Sequence, residues 1–237
     1  MFEKIKVIGF DADDTLWVNE PYFKELEEKF CELLKDYLPD KEVSKILFQI
    51  EVNNIELYGY GVKAFMLSLI ESAIKISKKD VPATIIEKII ELGKQQINKP
   101  VILLNGVEKV LQKLSSRNYK LIVATKGDLL DQERKLQKSG IEKYFHHIEI
   151  MSNKNDSDYQ KLLNHLEIKP EEFVMIGNSI KSDIIPVINI GGQAIYIPFH
   201  TVWQHETISS QELENHKYIE VKSIEETIDL FNHEEKN

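Results

Sequence analysis

The chain changes its hydrophobic period twice. Lys4 to Phe10, KIKVIGF, is a short β-branched run that stops at Asp11, the pattern of a buried strand. From about Pro21 to Lys99 the spacing turns helical. Phe23, Leu26, Phe30, Leu33, Leu34 and Tyr37 recur at three- and four-residue intervals, as do Ala64, Phe65, Leu67, Ile70, Ala73 and Ile74, then Ile85, Ile86, Ile89, Ile90 and Leu92. Gly59 and Gly61 break this block in the middle. After Pro100 strands and helices alternate: helix from Gly106 to Leu114, strand from Lys120 to Ala124, helix from Leu129 to Gly140, strand from His147 to Met151, and helix from Asp158 to Leu166. A strand from Phe173 to Ile176, a short helix from Asp183 to Asn189 and a strand from Ala194 to Ile197 follow. The alternation predicts an α/β fold, a doubly wound parallel sheet covered by helices on both faces. The core is expected over residues 1–16 and 100–237, with a helical domain over 17–99 inserted after the first strand.

In an open parallel sheet, ligands gather outside the carboxyl ends of the strands. Every such end is polar here. The first strand leads into Asp11, Asp13, Asp14 and Thr15, the second into Thr125, Lys126, Gly127 and Asp128, the third into Ser152, Asn153 and Lys154, and the fourth into Gly177, Asn178, Ser179, Ser182 and Asp183. Two carboxylates two residues apart on extended backbone point the same way, so Asp11 and Asp13 can address one reacting group. Asp183 adds a further anionic oxygen, and a set of hard oxygens without Cys or His suits Mg²⁺ rather than zinc. Lys154 supplies positive charge where carboxylates and a phosphate dianion would otherwise repel. Thr125, with the amides of Lys126 and Gly127 behind it, offers donors to phosphate oxygens. Phosphoryl transfer asks mainly for positioning and charge neutralisation, and this set supplies both.

Composition narrows the choice. The 30 basic against 39 acidic residues leave a net charge of −9, and Arg117 and Arg134 are the only arginines, so a nucleic-acid surface is not expected. No apolar run reaches the ~18 residues of a membrane span, and no signal-peptide pattern precedes the first strand. A cytoplasmic protein is the expectation, with no membrane or nucleic-acid partner. The pattern fixes no oligomeric state. The single cysteine, Cys31, sits in a helical stripe and reads as a packing residue.

The string FDADDTL resembles the first motif of the haloacid dehalogenase superfamily, ATKGD its second, the lysine of MSNKND its third and IGNSIKSD a variant of its fourth. The resemblance covers the whole chain, because the motifs stand in order and the helical block falls where the family places its cap. It implies a Rossmann-like core and a capped, Mg²⁺-dependent phosphatase acting on a small phosphorylated substrate. Asp11 would be the transiently phosphorylated nucleophile and Asp13 the general acid and base. Thr125 and Lys154 would hold the transferring group, joined by Lys126 and Gly127 in substrate binding. Asp11, the Asp13 carbonyl, Asn178 and Asp183 would serve the metal.

Two positions depart from the family pattern. Asn178 stands where an acidic ligand is usual, five residues before Asp183, and its amide oxygen can ligate directly or hold a bound water. Asp14 replaces the usual glycine, for which a turn or capping role is expected. Asp156 and Ser157 are expected to cap the helix that follows, and the paired histidines to lie at the surface. Trp203, near His205 and Glu206 after the strand from Ala194 to Ile197, reads as a packing residue, while Tyr58, Tyr60 and Lys63 are specificity candidates by location. Rival readings on the same fold are a haloacid dehalogenase, a phosphonatase with a Schiff-base lysine and a phosphomutase. From another class, the fold could serve as a catalytically silent binding module; the intact set of Asp11, Asp13, Thr125, Lys154 and Asp183 speaks against it.

Overall fold

The computed structural model describes residues 2–117, 119–207 and 217–232. They divide into two compact units. One gathers the residues up to Val18, Val101 to Lys126, and those from Lys135 onward; the other gathers Asn19–Pro100 and Gly127–Arg134.

The first unit is built on a six-stranded parallel sheet: β1 (Val7–Phe10), β2 (Lys120–Lys126), β3 (His147–Met151), β4 (Phe173–Gly177), β5 (Gln193–Tyr196) and β6 (Ile219–Glu220). The strand order is β3-β2-β1-β4-β5-β6, which places β1 in the interior with β2 and β4 on either side. Chain direction across the sheet reverses at β1, so the crevice for a ligand opens at its carboxyl end. All four residues of β1 are buried, as a strand covered on both faces requires.

Alternate residues of the central strands feed two separate cores. Ile8, Phe10, Leu121, Val123, Val174 and Ile176 pack on one face with Val110 and Leu114 of a helix at Val107–Ser115, and with Ile228 and Phe231 near the end of the chain. Val7, Ile122, Ala124, Phe173 and Met175 pack on the other face with Tyr159, Leu162 and Leu163 of a helix at Asp156–His165, and with Val187. The period of two thus sorts one set of strands between two layers of helices, the doubly wound arrangement expected. A helix at Leu129–Ser139 follows β2, and Gly140 ends it with φ 74°.

Four helices fill Asn19–Pro100 of the second unit: α1 (Glu20–Leu34), α2 (Asp40–Tyr58), α3 (Val62–Ile76) and α4 (Ala83–Ile97). Their stripes meet in one core of Leu26, Phe30, Leu34, Val43, Leu47, Phe65, Leu69 and Ile89. The glycine break falls between α2 and α3, as the sequence predicts. Cys31 is buried on this apolar side of α1.

Some local expectations shift. The helix of Asp156–His165 begins one residue after Asn155, whose side chain accepts from the Asp158 amide at 3.1 Å, so Asn155 rather than Asp156 or Ser157 is the cap. The strand β2 runs through Thr125 and Lys126 instead of stopping at Ala124, and the two-residue β6 is too short to show a period in sequence. Asp14 takes the turn role: φ is 63° and its amide donates to Trp17 O at 2.7 Å.

Candidate active site

Asp11 follows the last residue of β1, and its amide donates to Ile176 O of β4 at 2.9 Å. The side chain is buried. Its Oδ1 accepts from Lys154 Nζ, and the same ammonium donates to Asp183 Oδ1 at 2.6 Å. One buried cation therefore bridges two buried carboxylates whose residues lie 172 positions apart in sequence, 11 against 183. Burial pushes the Asp11 carboxyl up to about 7, against the pull of Lys154, with Asp183 adding repulsion. Burial opposes the charge on Lys154 too, but attraction to Asp11 and Asp183 outweighs it and holds the lysine protonated.

The loop after β4 owes its shape to Gly177. A Cβ there would stand 2.3 Å from Asp183 Oδ2, so only glycine lets the loop fold back and return Asp183 to the strand end. Ser179 N donates to Asp183 Oδ2 at 2.9 Å and fixes the carboxylate from the other side. Asn178 lies beside Asp11. With its amide oriented to satisfy its neighbours, the nitrogen donates to Thr15 Oγ1 at 3.1 Å and to Asp11 Oδ2 and Asp13 O at 3.2 Å each. Thr15 Oγ1 in turn donates to Asp11 Oδ2 at 3.1 Å.

Asp13 Oδ1 accepts from two groups, the Trp17 indole Nε1 at 2.7 Å and Lys135 Nζ at 2.9 Å. Thr125 is buried near the end of β2, and its hydroxyl donates to Lys126 O at 3.1 Å. The Lys126 ammonium reaches Glu206 Oε1 at 2.5 Å and Ser182 Oγ at 2.9 Å. Ser179 Oγ also donates to Glu206 Oε2, and Ser182 Oγ does so at 2.6 Å, so one carboxylate ties the end of β2 to the loop after β4. Burial works against the charge on Glu206, but Lys126 and the two hydroxyls bring its carboxyl down to about 2. Tyr159 OH donates to Ser182 O at 3.0 Å, and burial drives its phenol well above the ordinary value.

Among the predicted site residues, Asp11, Asp13, Lys154, Asn178 and Asp183 are joined by direct contacts. Lys126 turns its ammonium to Glu206 and Ser182, while Gly127, with φ 133°, begins the segment grouped with the helical unit. A Cβ on Gly127 would meet Gln132 Nε2 at 2.8 Å. Lys63 pairs with Asp128 at 2.8 Å within that unit.

Four residues carry more of the site than the sequence suggests: Thr15, Trp17, Lys135 and Glu206. Lys135 carries no clear signal in the sequence, because the buried Gln132 three residues before it is itself polar and gives no apolar stripe to place it. Glu206 carries no local signal, because its partners arrive from β2 and from the loop after β4.

Among the described residues no group of three or more His, Cys, Asp or Glu side chains is arranged to hold a metal ion. The donor chemistry still fits Mg²⁺. Asp11 Oδ2 and the Asp13 carbonyl both lie 3.2 Å from the Asn178 amide nitrogen, so two hard oxygens and an amide stand together without Cys or His, the donor types Mg²⁺ takes.

With this geometry, kinship is clear. The chain belongs to the haloacid dehalogenase-like hydrolases, whose family model matches residues 5–191. It is similar to a haloacid dehalogenase-like family hydrolase from Xanthomonas campestris, with 33% identity and a TM-score of 0.85 over 96% of this chain and 90% of that one. It shares its fold with a HAD phosphatase from Thermococcus onnurineus, with 18% identity and a TM-score of 0.65 over 97% and 99% of the two chains. A stretch of 99 residues is 25% identical to the glyceraldehyde 3-phosphate phosphatase of Pyrococcus furiosus. That match covers 40% of this chain and 41% of the relative, so the chain spans about two-fifths of the curated relative's length.

Proposed function

We propose that this hydrolase is a Mg²⁺-dependent phosphatase of a small phosphorylated metabolite, working through a phosphorylated Asp11. The observation that carries the reading is the buried Lys154 bridge between Asp11 and Asp183 at the carboxyl edge of the sheet. Desolvated charge of this kind is costly to a fold and is found where charge must be neutralised during a reaction. The partial relative named a glyceraldehyde 3-phosphate phosphatase supports phosphorus chemistry and a small substrate.

In this reading Asp11 Oδ attacks phosphorus while the bond from phosphorus to the leaving oxygen breaks, and Asp13 gives that oxygen its proton. Asp13 then takes a proton from water as the water oxygen attacks, releasing phosphate and restoring Asp11. Lys154 stays protonated and balances the charge on the transferring group, with Thr125 at the neighbouring strand end. Asp11, the Asp13 carbonyl and Asp183, with Asn178, would hold Mg²⁺, whose chemistry when bound is to neutralise and orient phosphoryl oxygens. Asp13 is what separates this reading from carbon–halogen cleavage, since attack on carbon has no alkoxide to protonate.

The test is turnover of p-nitrophenyl phosphate with and without Mg²⁺, beside halide release from 2-chloropropionate. Metal-dependent phosphate release and no halide are expected. Asp11→Asn, nearly isosteric but a poor nucleophile, should abolish turnover while its melting curve stays cooperative. Retained activity in the pure variant, or halide release as the main reaction, would overturn the proposal.

A further inference from the structure

Asp13 Oδ1 is gripped by two donors, the Trp17 indole at 2.7 Å and the Lys135 ammonium at 2.9 Å, both within the sheet unit. The grip has a local and a tertiary half. Trp17 is fixed by the turn itself: Asp14 N donates to Trp17 O at 2.7 Å, and the indole ring is buried in the core with Leu16, Phe10 and Leu111. Lys135 comes from the helix after β2, with its side chain 18% exposed against 25% for Asp13. A carboxylate rotates freely about its Cβ–Cγ bond unless something holds it, and two donors converging on one oxygen stop that rotation.

We propose that Lys135 and Trp17 are positioning residues that aim the Asp13 carboxyl at the leaving-group oxygen. The proposal rests on the phosphatase reading and deepens it. In the first half-reaction the proton moves from Asp13 to the departing oxygen as the phosphorus–oxygen bond breaks. In the second it moves from water to Asp13 as the phosphoaspartate opens. In the first half-reaction, which kcat/KM reports, misaiming Asp13 therefore hurts most where the leaving group needs the proton, and little where the leaving group departs readily as an anion.

That asymmetry separates positioning from structure and from substrate contact. The esters are p-nitrophenyl phosphate, whose phenolate leaves without help, and phenyl phosphate, which has the same ring and a poorer leaving group. Lys135→Met and Trp17→Phe are expected to lower kcat/KM on phenyl phosphate by about ten-fold or more. On p-nitrophenyl phosphate the loss in kcat/KM should be under about three-fold. Lys135→Arg should recover most of the phenyl phosphate rate. Equal losses in kcat/KM on the two esters would overturn the proposal.

A second measurement does not depend on turnover. The chain has two tryptophans, so the Trp17 indole N–H resonance is readily assigned, and Asp13→Ala should shift it and speed its exchange with solvent. An unmoved indole resonance sinks the clamp even if the enzyme is a phosphatase. Wild-type protein that hydrolyses neither ester, with an indole resonance that does respond, strikes the phosphatase reading and leaves the clamp.

Discussion

Glu25 in the helical unit and Glu206 in the sheet unit are both held by lysines, and both carboxyls are brought down to about 2. Their surroundings differ. Glu25 accepts from Lys29 at 2.6 Å and Lys99 at 2.5 Å with its side chain 41% exposed, so water competes for every one of these charges. Glu206 is 13% exposed and its partners Lys126, Ser179 and Ser182 are enclosed with it. Equal shifts thus report unequal energies. An exposed pair gives up little when broken, whereas an enclosed charge stripped of its partner has nowhere to be solvated. The sheet unit has withdrawn carboxylates and ammoniums from water at one edge; the helical unit keeps Glu25 and its lysines outside and fills its core with Leu26, Phe30 and Leu69.

The largest effect expected from this contrast is at Lys154. Lys154→Met leaves Asp11 and Asp183 facing each other across a buried space without their shared cation. A loss of about 3–5 kcal/mol in metal-free unfolding free energy follows, along with loss of turnover. The deficit should shrink as pH is lowered from 8 toward 5, because protonating Asp11 relieves the repulsion. Denaturant melts at both pH values read this directly. A deficit below about 1 kcal/mol at pH 8 would mean that water enters the cluster and that the contrast is overdrawn.

Glu206→Gln comes next. The Glu206 carboxyl falls from 4.5 to about 2, so its contribution is fully present above pH 4.5 and is lost as pH drops through 2. The amide should cost about 2 kcal/mol at pH 7. The wild-type and variant stabilities should converge as the pH of the melt is lowered below 4.5, and a gap that stays constant would place the effect in packing instead.

How much of this was legible in the sequence depends on whether the geometry is local. Asp11 and Asp13 announce themselves, since a buried strand ends and two carboxylates follow with the right spacing. Lys154 and Asp183 are legible by the same rule. The partners Lys135 and Glu206 are not, because each is brought to its carboxylate or ammonium by strand order and helix packing across 122 and 80 residues. Local competition hides other details. Asn155, Asp156 and Ser157 are all good caps, and only the backbone decides that the helix starts after Asn155. The loop that returns Asp183 also contains a π-type turn at Ile180–Ile184, which has no period of its own in so few residues.

Asn178 sharpens the contrast within the sheet unit itself, because its effect should change sign with metal. In the metal-free protein the amide donates to Asp11 Oδ2 and Asp13 O, so Asn178→Asp replaces a donor by a repelling acceptor and should cost about 1–2 kcal/mol. If Mg²⁺ binds there as proposed, the added carboxylate would be a further ligand. The variant should gain more stability from saturating Mg²⁺ than wild type does, and reach half-maximal turnover at lower Mg²⁺. Thermal melts in chelator and in Mg²⁺ give the first quantity without reference to activity. Equal metal-induced shifts in the two proteins would put residue 178 outside the metal's reach.

The smallest effect is the one that most directly checks the comparison, at Glu25. Its lowered carboxyl arises first from hydrogen bonds donated by Lys29 and Lys99, with little burial opposing them. In the unfolded chain the same three groups are hydrated, and in the folded chain each still meets water; holding three long side chains together also costs rotamer entropy. The net value of the cluster is therefore small although the two contacts are short. Glu25→Gln should change stability by less than about 0.5 kcal/mol at pH 7. In about 1 M salt, where screening acts over roughly 3 Å, even that difference should fade. Glu206→Gln measured in the same salt should keep most of its deficit, because ions cannot enter between Glu206, Lys126 and Ser182. If the two variants instead lose equal stability, or respond equally to salt, then short contacts rather than enclosure set the energy of a charge in this protein. The buried bridge of Lys154 would then have to be explained without appeal to its removal from water.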